Sequence, residues 1–179
     1  MILIGFWHKS DNFEARTTDM SKTEVNIVPG EGLGNLKFGM NREQVMALLG
    51  KPDAQEITYY GEDESDKSDA WEYHPLRIDL SFEEAEDWRL TIISVSSEDY
   101  LFKGSSLIGL DLDELMEELS VLGVNDLEIE DMSSEDHPDQ KLIACESLGV
   151  NFWLHQNILE EIQWGPLFID DNTIKWPEI

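Results

Sequence analysis

The chain has 179 residues, which is enough for one domain or two small ones, and 41% of them are hydrophobic, including six Trp and seven Phe. This composition supports a packed core and excludes a wholly disordered chain. The 39 acidic and 12 basic residues give a formal net charge of −27, which repels phosphate backbones, so we expect no nucleic-acid binding. The same charge either keeps the protein soluble or steers a basic partner toward it.

The chain opens with a short apolar segment. Residues 1–7 are too few for a membrane span or a signal-peptide core, and charged residues follow at once. Met20 and the residues after it read like an ordinary protein start. We therefore predict that residues 1–22 are a disordered or non-native extension, that no segment enters a membrane, and that the protein is cytoplasmic.

The first predicted helix follows residue 40. Asn41 is a good N-cap, and Gln44 stands three residues later, as in a capping box. Gly50 ends the pattern and Pro52 prevents its continuation. The apolar stripe of this helix is formed by Val45, Leu48 and Leu49. The spacing predicts a helix of about two turns.

Strand-like segments follow at residues 57–60, 70–73, 76–82 and 88–95. The segment 76–82 alternates apolar and polar residues, which predicts one buried face and one wet face. A turn at residues 83–87 would join the last two segments into a hairpin.

The second half of the chain repeats this order. A helix begins after the N-cap Asp111, with Glu114 three residues on, and Gly123 ends it. Its stripe is formed by Leu115, Leu119 and Leu122. Strand-like segments follow at 127–130, 141–145, 148–154 and 158–164, each at a nearly constant separation from its counterpart in the first half.

The repeat predicts an α+β protein made of two tandem modules, each a short helix packed on a small antiparallel β-sheet. The first module would span residues 23–100 and the second 101–166. Residues 167–179 would form a tail packed on the body. The second module is the more acidic, because residues 105–179 hold 18 acids and only two bases.

The residues around the first helix resemble a known pattern. They read G-M-N-R-E-Q-V from Gly39 and L-L-G-K-P-D from Leu48. This resembles the opening helix of the SmpA/OmlA family, the small lipoproteins of the outer-membrane barrel assembly machinery, in which a small antiparallel sheet follows. The tandem arrangement resembles the β-lactamase inhibitor protein family, whose two sheets form a concave surface that grips another protein. The resemblance implies a fold, and it carries over no functional residues because it covers about 15 residues.

Candidates for chemistry are few. The acidic loop at residues 62–69 lacks the spacing of an EF-hand, the four histidines are isolated, and Cys145, the single cysteine, lies in an apolar segment typical of a core. We therefore expect no metal, no cofactor and no catalytic site. The only carboxylates that we consider for acid–base work are Asp79, Glu160 and Glu161.

The sheet faces are the best candidates for binding. In residues 148–155 the alternation points Asn151, Trp153 and His155 outward, and Asp79 has the matching position in the first half. Trp71 and Tyr73 share a face of the neighbouring strand, and either line the same surface or pack inside the protein. The predicted partner-binding residues are Trp71, Tyr73, Asp79, Asn151, Trp153 and His155.

These observations favour a non-enzymatic, acidic protein-binding protein, such as an immunity or inhibitor protein that occludes a basic partner, for example a toxin. Small acidic proteins without a catalytic signature are common among immunity proteins. The alternatives are an envelope assembly factor, as the lipoprotein resemblance implies, and a small enzyme whose site has no familiar motif.

Overall fold

The computed structural model describes residues 25–60, 66–170 and 172–179. The two α-helices of this part of the chain are α1 (Arg42–Leu49) and α2 (Leu112–Val121), and short 3-10 helices cover His74–Leu76, Glu84–Glu86 and Glu146–Leu148. The strands are β1 Asn26–Val28, β2 Gly32–Leu33, β3 Leu36–Lys37, β4 Ala54–Tyr60, β5 Asp66–Tyr73, β6 Ile78–Glu83, β7 Arg89–Val95, β8 Leu101–Phe102, β9 Ser105–Ser106, β10 Glu128–Asp131, β11 Gln140–Cys145, β12 Val150–His155, β13 Ile158–Trp164, β14 Leu167–Asp170 and β15 Thr173–Lys175.

One antiparallel sheet of eight strands dominates the structure, in the order β10-β11-β12-β13-β7-β6-β5-β4. Strands β4 to β7 come from the first half of the chain and β10 to β13 from the second, and the halves meet where β7 pairs with β13. A smaller sheet, β3-β2-β1-β8-β9, also joins the halves, through the parallel pairing of β1 with β8.

The predicted fold class, two modules each with a helix on its own small sheet, is wrong. Strands make up 47% of the structure and helices 18%, and the large sheet is shared by both halves. The sequence predicts β7 and β13 to be the last strands of two separate sheets. An unpaired strand leaves backbone N–H and C=O groups exposed, and here each strand satisfies the other's groups. A single hydrophobic core containing residues from both halves follows from this pairing.

Each helix is attached to one of the two central strands in the same way. Gly39 donates its backbone N–H to Leu90 of β7, and Leu90 donates back to Met40. In the second half, Gly109 and Leu110 form the same pair of bonds with Leu159 of β13. Both glycines have positive φ, +87° and +91°, which a side chain would disfavour. The Gly-Met and Gly-Leu pairs before the two helices are therefore the points at which the helices are hydrogen-bonded to the sheet.

The helix boundaries agree with local capping chemistry. Asn41 with Gln44, and Asp111 with Glu114, each form a complete capping box. The two helices differ in how deeply they pack, since α2 buries Leu115 and Leu119 whereas α1 buries Val45 only. Leu48, which the periodicity placed on the apolar stripe, is 41% exposed.

A buried carboxylate fixes α1 against β4 and β5. The Asp69 side chain has no exposed surface and accepts hydrogen bonds from Arg42 of the helix, Gln55 of β4 and Trp71 of β5, the shortest from each donor being 2.9 Å. The Arg42 guanidinium also lies 4.6 Å from the ring centroid of Trp88. Because the Asp69 carboxylate accepts from three donors, one of them the Arg42 guanidinium, its charge is tolerated inside the protein.

The end of the chain lies against the body. Strands β14 and β15 form a hairpin, and Trp176 after it packs on the core beside Gly39 and within 5.5 Å of the Arg89 guanidinium. The predicted extension, residues 1–22, falls outside the described residues. Neither helix of the described residues has the length and apolar character needed to cross a membrane.

Replacing Asp69 tests the buried hydrogen-bond cluster. Asp69→Ala removes the shared acceptor and leaves the buried Trp71 indole N–H without its partner, so we expect the free energy of unfolding to fall by about 3 kcal/mol. Urea unfolding at neutral pH measures this. The matched control is Glu84→Ala, which breaks the surface pair with Lys67 and should change stability by no more than about 0.5 kcal/mol. Equal effects of the two changes would contradict the assigned role of Asp69.

Candidate functional site: the open face of the large sheet

The two faces of the eight-stranded sheet differ sharply. On one face Trp71, Leu80, Ile93, Trp164 and Val150 lie side by side on adjacent strands and are buried in the core. We call the opposite face the open face. Because side chains alternate along a strand, the residues directly before and after each of these core residues on its strand belong to the open face.

A row of polar side chains crosses the middle of the open face. Asp79 of β6 is opposite Ser94 of β7, Ser94 is opposite Gln163 of β13, and Gln163 is opposite Asn151 of β12. The row therefore spans the junction of the halves, over about 14 Å between its ends. Asp79 and Asn151, two of the predicted residues, lie at its ends. Sequence reasoning missed Ser94 and Gln163, since their place depends on the β7–β13 pairing.

The charges of two further carboxylates act on Asp79 at one end of this row. Glu72 of β5 is directly opposite Asp79, and Glu161 of β13 is near enough for its charge to act on Asp79. We call Glu72, Asp79 and Glu161 the acidic cluster. The outer carboxylate, Glu72, pairs with His74 at 2.8 Å. The described residues provide no Lys or Arg ion pair for Asp79 or Glu161.

The crowding of carboxylates changes their acidity. Desolvation within the sheet surface, followed by repulsion from Glu161 and Glu72, raises the pKa of Asp79 from 3.8 to about 7, although His74 and Arg77 act in the opposite direction. Burial also raises the pKa of Glu161, against a hydrogen bond from Ser94 that lowers it. Neighbouring groups partly desolvate the Asp79 carboxyl, but the residue keeps exposed surface, so a ligand can reach this perturbed group.

Trp153 lies on the open face but is only 6% exposed. It stands between Leu142 and Glu161 on the neighbouring strands, and its indole N–H donates to the Gln163 side-chain oxygen at 3.4 Å. The same oxygen accepts from the Asn151 amide at 3.4 Å. Trp153 therefore positions Gln163 directly and Asn151 through Gln163. Its covered ring lies within the open face and does not project from it as a contact residue would.

The remaining predicted residues separate into two groups. Trp71 and Tyr73 are buried on the core face, and Tyr73 donates its hydroxyl to the backbone oxygen of Gly50. They do not share a surface with Asp79, because the β5–β6 register puts them opposite the inward residues Leu80 and Ile78. His155 is half-buried on the open face, two residues beyond Trp153.

Other reactive groups lie elsewhere and do not converge. Cys145 is buried and its thiol donates to Asp126, and burial raises its pKa. Glu83 is buried at the far end of β6 with one carboxylate oxygen lacking a partner among the described residues, and burial raises its pKa as well. In the described ranges, no three His, Cys, Asp or Glu side chains are grouped as a metal site would require.

The raised pKa of Asp79 predicts a pH-dependent cost of folding. In the folded protein its pKa is about 7, above the unfolded value of 3.8. The carboxyl therefore leaves the free energy of unfolding unchanged below pH ~4, and its charged form lowers that free energy by the full amount above pH ~7. We expect Asp79→Asn to raise the midpoint of thermal unfolding at pH 8 by about 2–4 °C, after allowing for solvent screening of an exposed group.

That gain should vanish near pH 4, where the wild-type carboxyl is protonated in both states. Calorimetry over this pH range measures it. Glu130→Gln, which removes one charge from the exposed strand β10, is the control for net charge. An Asp79→Asn gain that is the same at pH 4 and pH 8 would contradict the assignment.

No protein family, curated protein sequence or solved structure matches the chain.

Proposed function

We propose that the protein binds a basic protein partner through the open face of the large sheet, with Asp79 and Glu161 receiving a Lys or Arg side chain of that partner. The observation that carries the proposal is that Glu161 of β13 lies near enough to Asp79 of β6 for its charge to disfavour the charge of Asp79, across the junction of the two halves. A cation bound between them would relieve that repulsion, which His74 and Arg77 offset only in part, and neither carboxylate has an ion-pair partner among the described residues.

The surroundings suit such a contact. Half-buried Gln163 and Asn151 continue the row with hydrogen-bonding side chains, buried Ser94 holds Glu161 by a hydrogen bond, and Trp153 lies opposite Glu161 on the neighbouring strand. Contacts of this kind are strongest where a charged group is desolvated at the centre of an interface. The net charge of −27 adds long-range attraction, which speeds association with a basic surface.

The mechanism is occlusion of the partner's surface by a preformed sheet. The class that fits is an immunity or inhibitor protein acting in the cytoplasm, and the partner would be a basic protein such as a toxin. The support for this class is the charge and the open face, and Trp71 and Tyr73 are no longer part of the proposed contact surface because both are in the core.

A second candidate is an acid–base enzyme. Its support is the Asp79 carboxyl, whose pKa of about 7 would allow it to give and take a proton near neutral pH beside a second carboxylate. Binding that is insensitive to Asp79→Asn, together with turnover that depends on it, would favour the enzyme.

The binding proposal is tested by comparative affinity capture with the wild type and with Asp79→Asn/Glu161→Gln, followed by mass spectrometry and titration of the purified partner. We expect a basic partner and a loss of about 10-fold to 100-fold in affinity for the double variant, the size of one or two charge-assisted contacts. Affinity should fall with added salt and rise from pH 6 to pH 8, because Asp79 binds a cation best when deprotonated.

The matched control is Glu128→Gln/Glu130→Gln, which removes the same charge from strand β10 and should weaken binding only slightly. Unchanged affinity in the Asp79/Glu161 variant would refute the site. An equal loss in both double variants would indicate general attraction by net charge.

A further inference from the structure

The large sheet has two edge strands, and they differ in length and charge. Strand β10 (Glu128–Asp131) has four residues, of which three are acidic and all are exposed. Strand β4 (Ala54–Tyr60) has seven residues, and Glu56 is its only charged one. No other strand of the described residues pairs with the outer edge of either.

Short, charged edges resist pairing with other chains, whereas long, uncharged edges with β-branched and aromatic residues favour it. By this criterion β10 is protected. Strand β4 is not, because Ile57 is 39% exposed and Tyr59 is 58% exposed on the side of the sheet that α1 only partly covers. A weakly charged edge is unexpected in a protein with a net charge of −27.

We propose that β4 pairs antiparallel with β4 of a second copy of this chain, so that the two eight-stranded sheets continue into one another. The strand is self-complementary in the register centred on Ile57. That register sets Ile57 opposite Ile57 of the second copy and Gln55 opposite Tyr59. It also sets Glu56 opposite Thr58, so no two acids face each other.

The arrangement satisfies the outward backbone groups of both edges and covers the exposed Ile57 and Tyr59 side chains. A different chain could also add to β4, but a second copy supplies the facing pairs described above, in which no two acids are opposite each other. The acidic cluster lies on β5, β6 and β13 and stays open for a partner, so the dimer is independent of the proposed binding function.

Repulsion between two chains of −27 each opposes the dimer, and salt screens it. Dimerisation should therefore strengthen with added NaCl, the reverse of the behaviour expected for a basic partner. Sedimentation equilibrium over a range of protein and salt concentrations measures this. A wild-type protein that stays monomeric at all of them would overturn the proposal.

The edge is tested by a pair of matched variants. Ile57→Lys adds a charge at the centre of β4 and should raise the dimer Kd at least 10-fold, whereas Ile129→Lys adds the same charge at an exposed isoleucine of β10 and should leave it unchanged. Circular dichroism and thermal unfolding check that both variants are folded. If both variants raised the dimer Kd equally, or if neither raised it, β4 would be excluded as the interface.

The register is tested by cysteine cross-linking under mild oxidation. Ile57→Cys places two thiols directly opposite each other, within the range of a disulfide, whereas Tyr59→Cys separates them by about 13 Å along the strands. We expect a covalent dimer for Ile57→Cys only. The wild type, whose Cys145 is 1% exposed, is the background control. Cross-linking of Tyr59→Cys at the same rate would overturn the register.

Discussion

The pairing of β7 with β13 is the constraint on which the rest of the structure depends. It consists of three facing pairs, Ile162 with Val95, Gln163 with Ser94 and Trp164 with Ile93. Without it each half would expose the backbone of a long apolar strand. With it, the inward side chains of both halves form one core, and both helices attach to the strands at the centre of the sheet. The junction is therefore the middle of the fold rather than a linker between modules.

The candidate site is a consequence of the same junction. Asp79 belongs to the first half and Glu161 to the second, and the charge of Glu161 acts on Asp79 only because β6, β7 and β13 are adjacent. Two carboxylates that share a crowded surface are costly to the fold. The proposed binding of a positive group there would offset that cost, so bound partner should stabilise the fold.

The distribution of charge separates the surfaces of the molecule by role. Buried Asp69 is neutralised by Arg42 and holds α1 on the sheet, whereas Asp79 and Glu161 have no ion-pair partner among the described residues. The acids of β10 protect one edge of the sheet, and β4 leaves the other edge available for pairing. Acidic residues thus stabilise the core, form the proposed binding site or protect a sheet edge, according to how much water and which neighbours surround them.

The sequence by itself determined the local features. The N-caps Asn41 and Asp111 and the alternation that turns Asp79 and Asn151 outward depend on residues within a few positions of each other, so spacing alone predicts them. Only the tertiary structure decided that the halves share one sheet, that Trp71 and Tyr73 face the core, and that Trp153 is covered although it lies on the open face. The physical reason is that strand partners and register are fixed by contacts distant in sequence, and a strand's own alternation gives two faces without saying which one is buried.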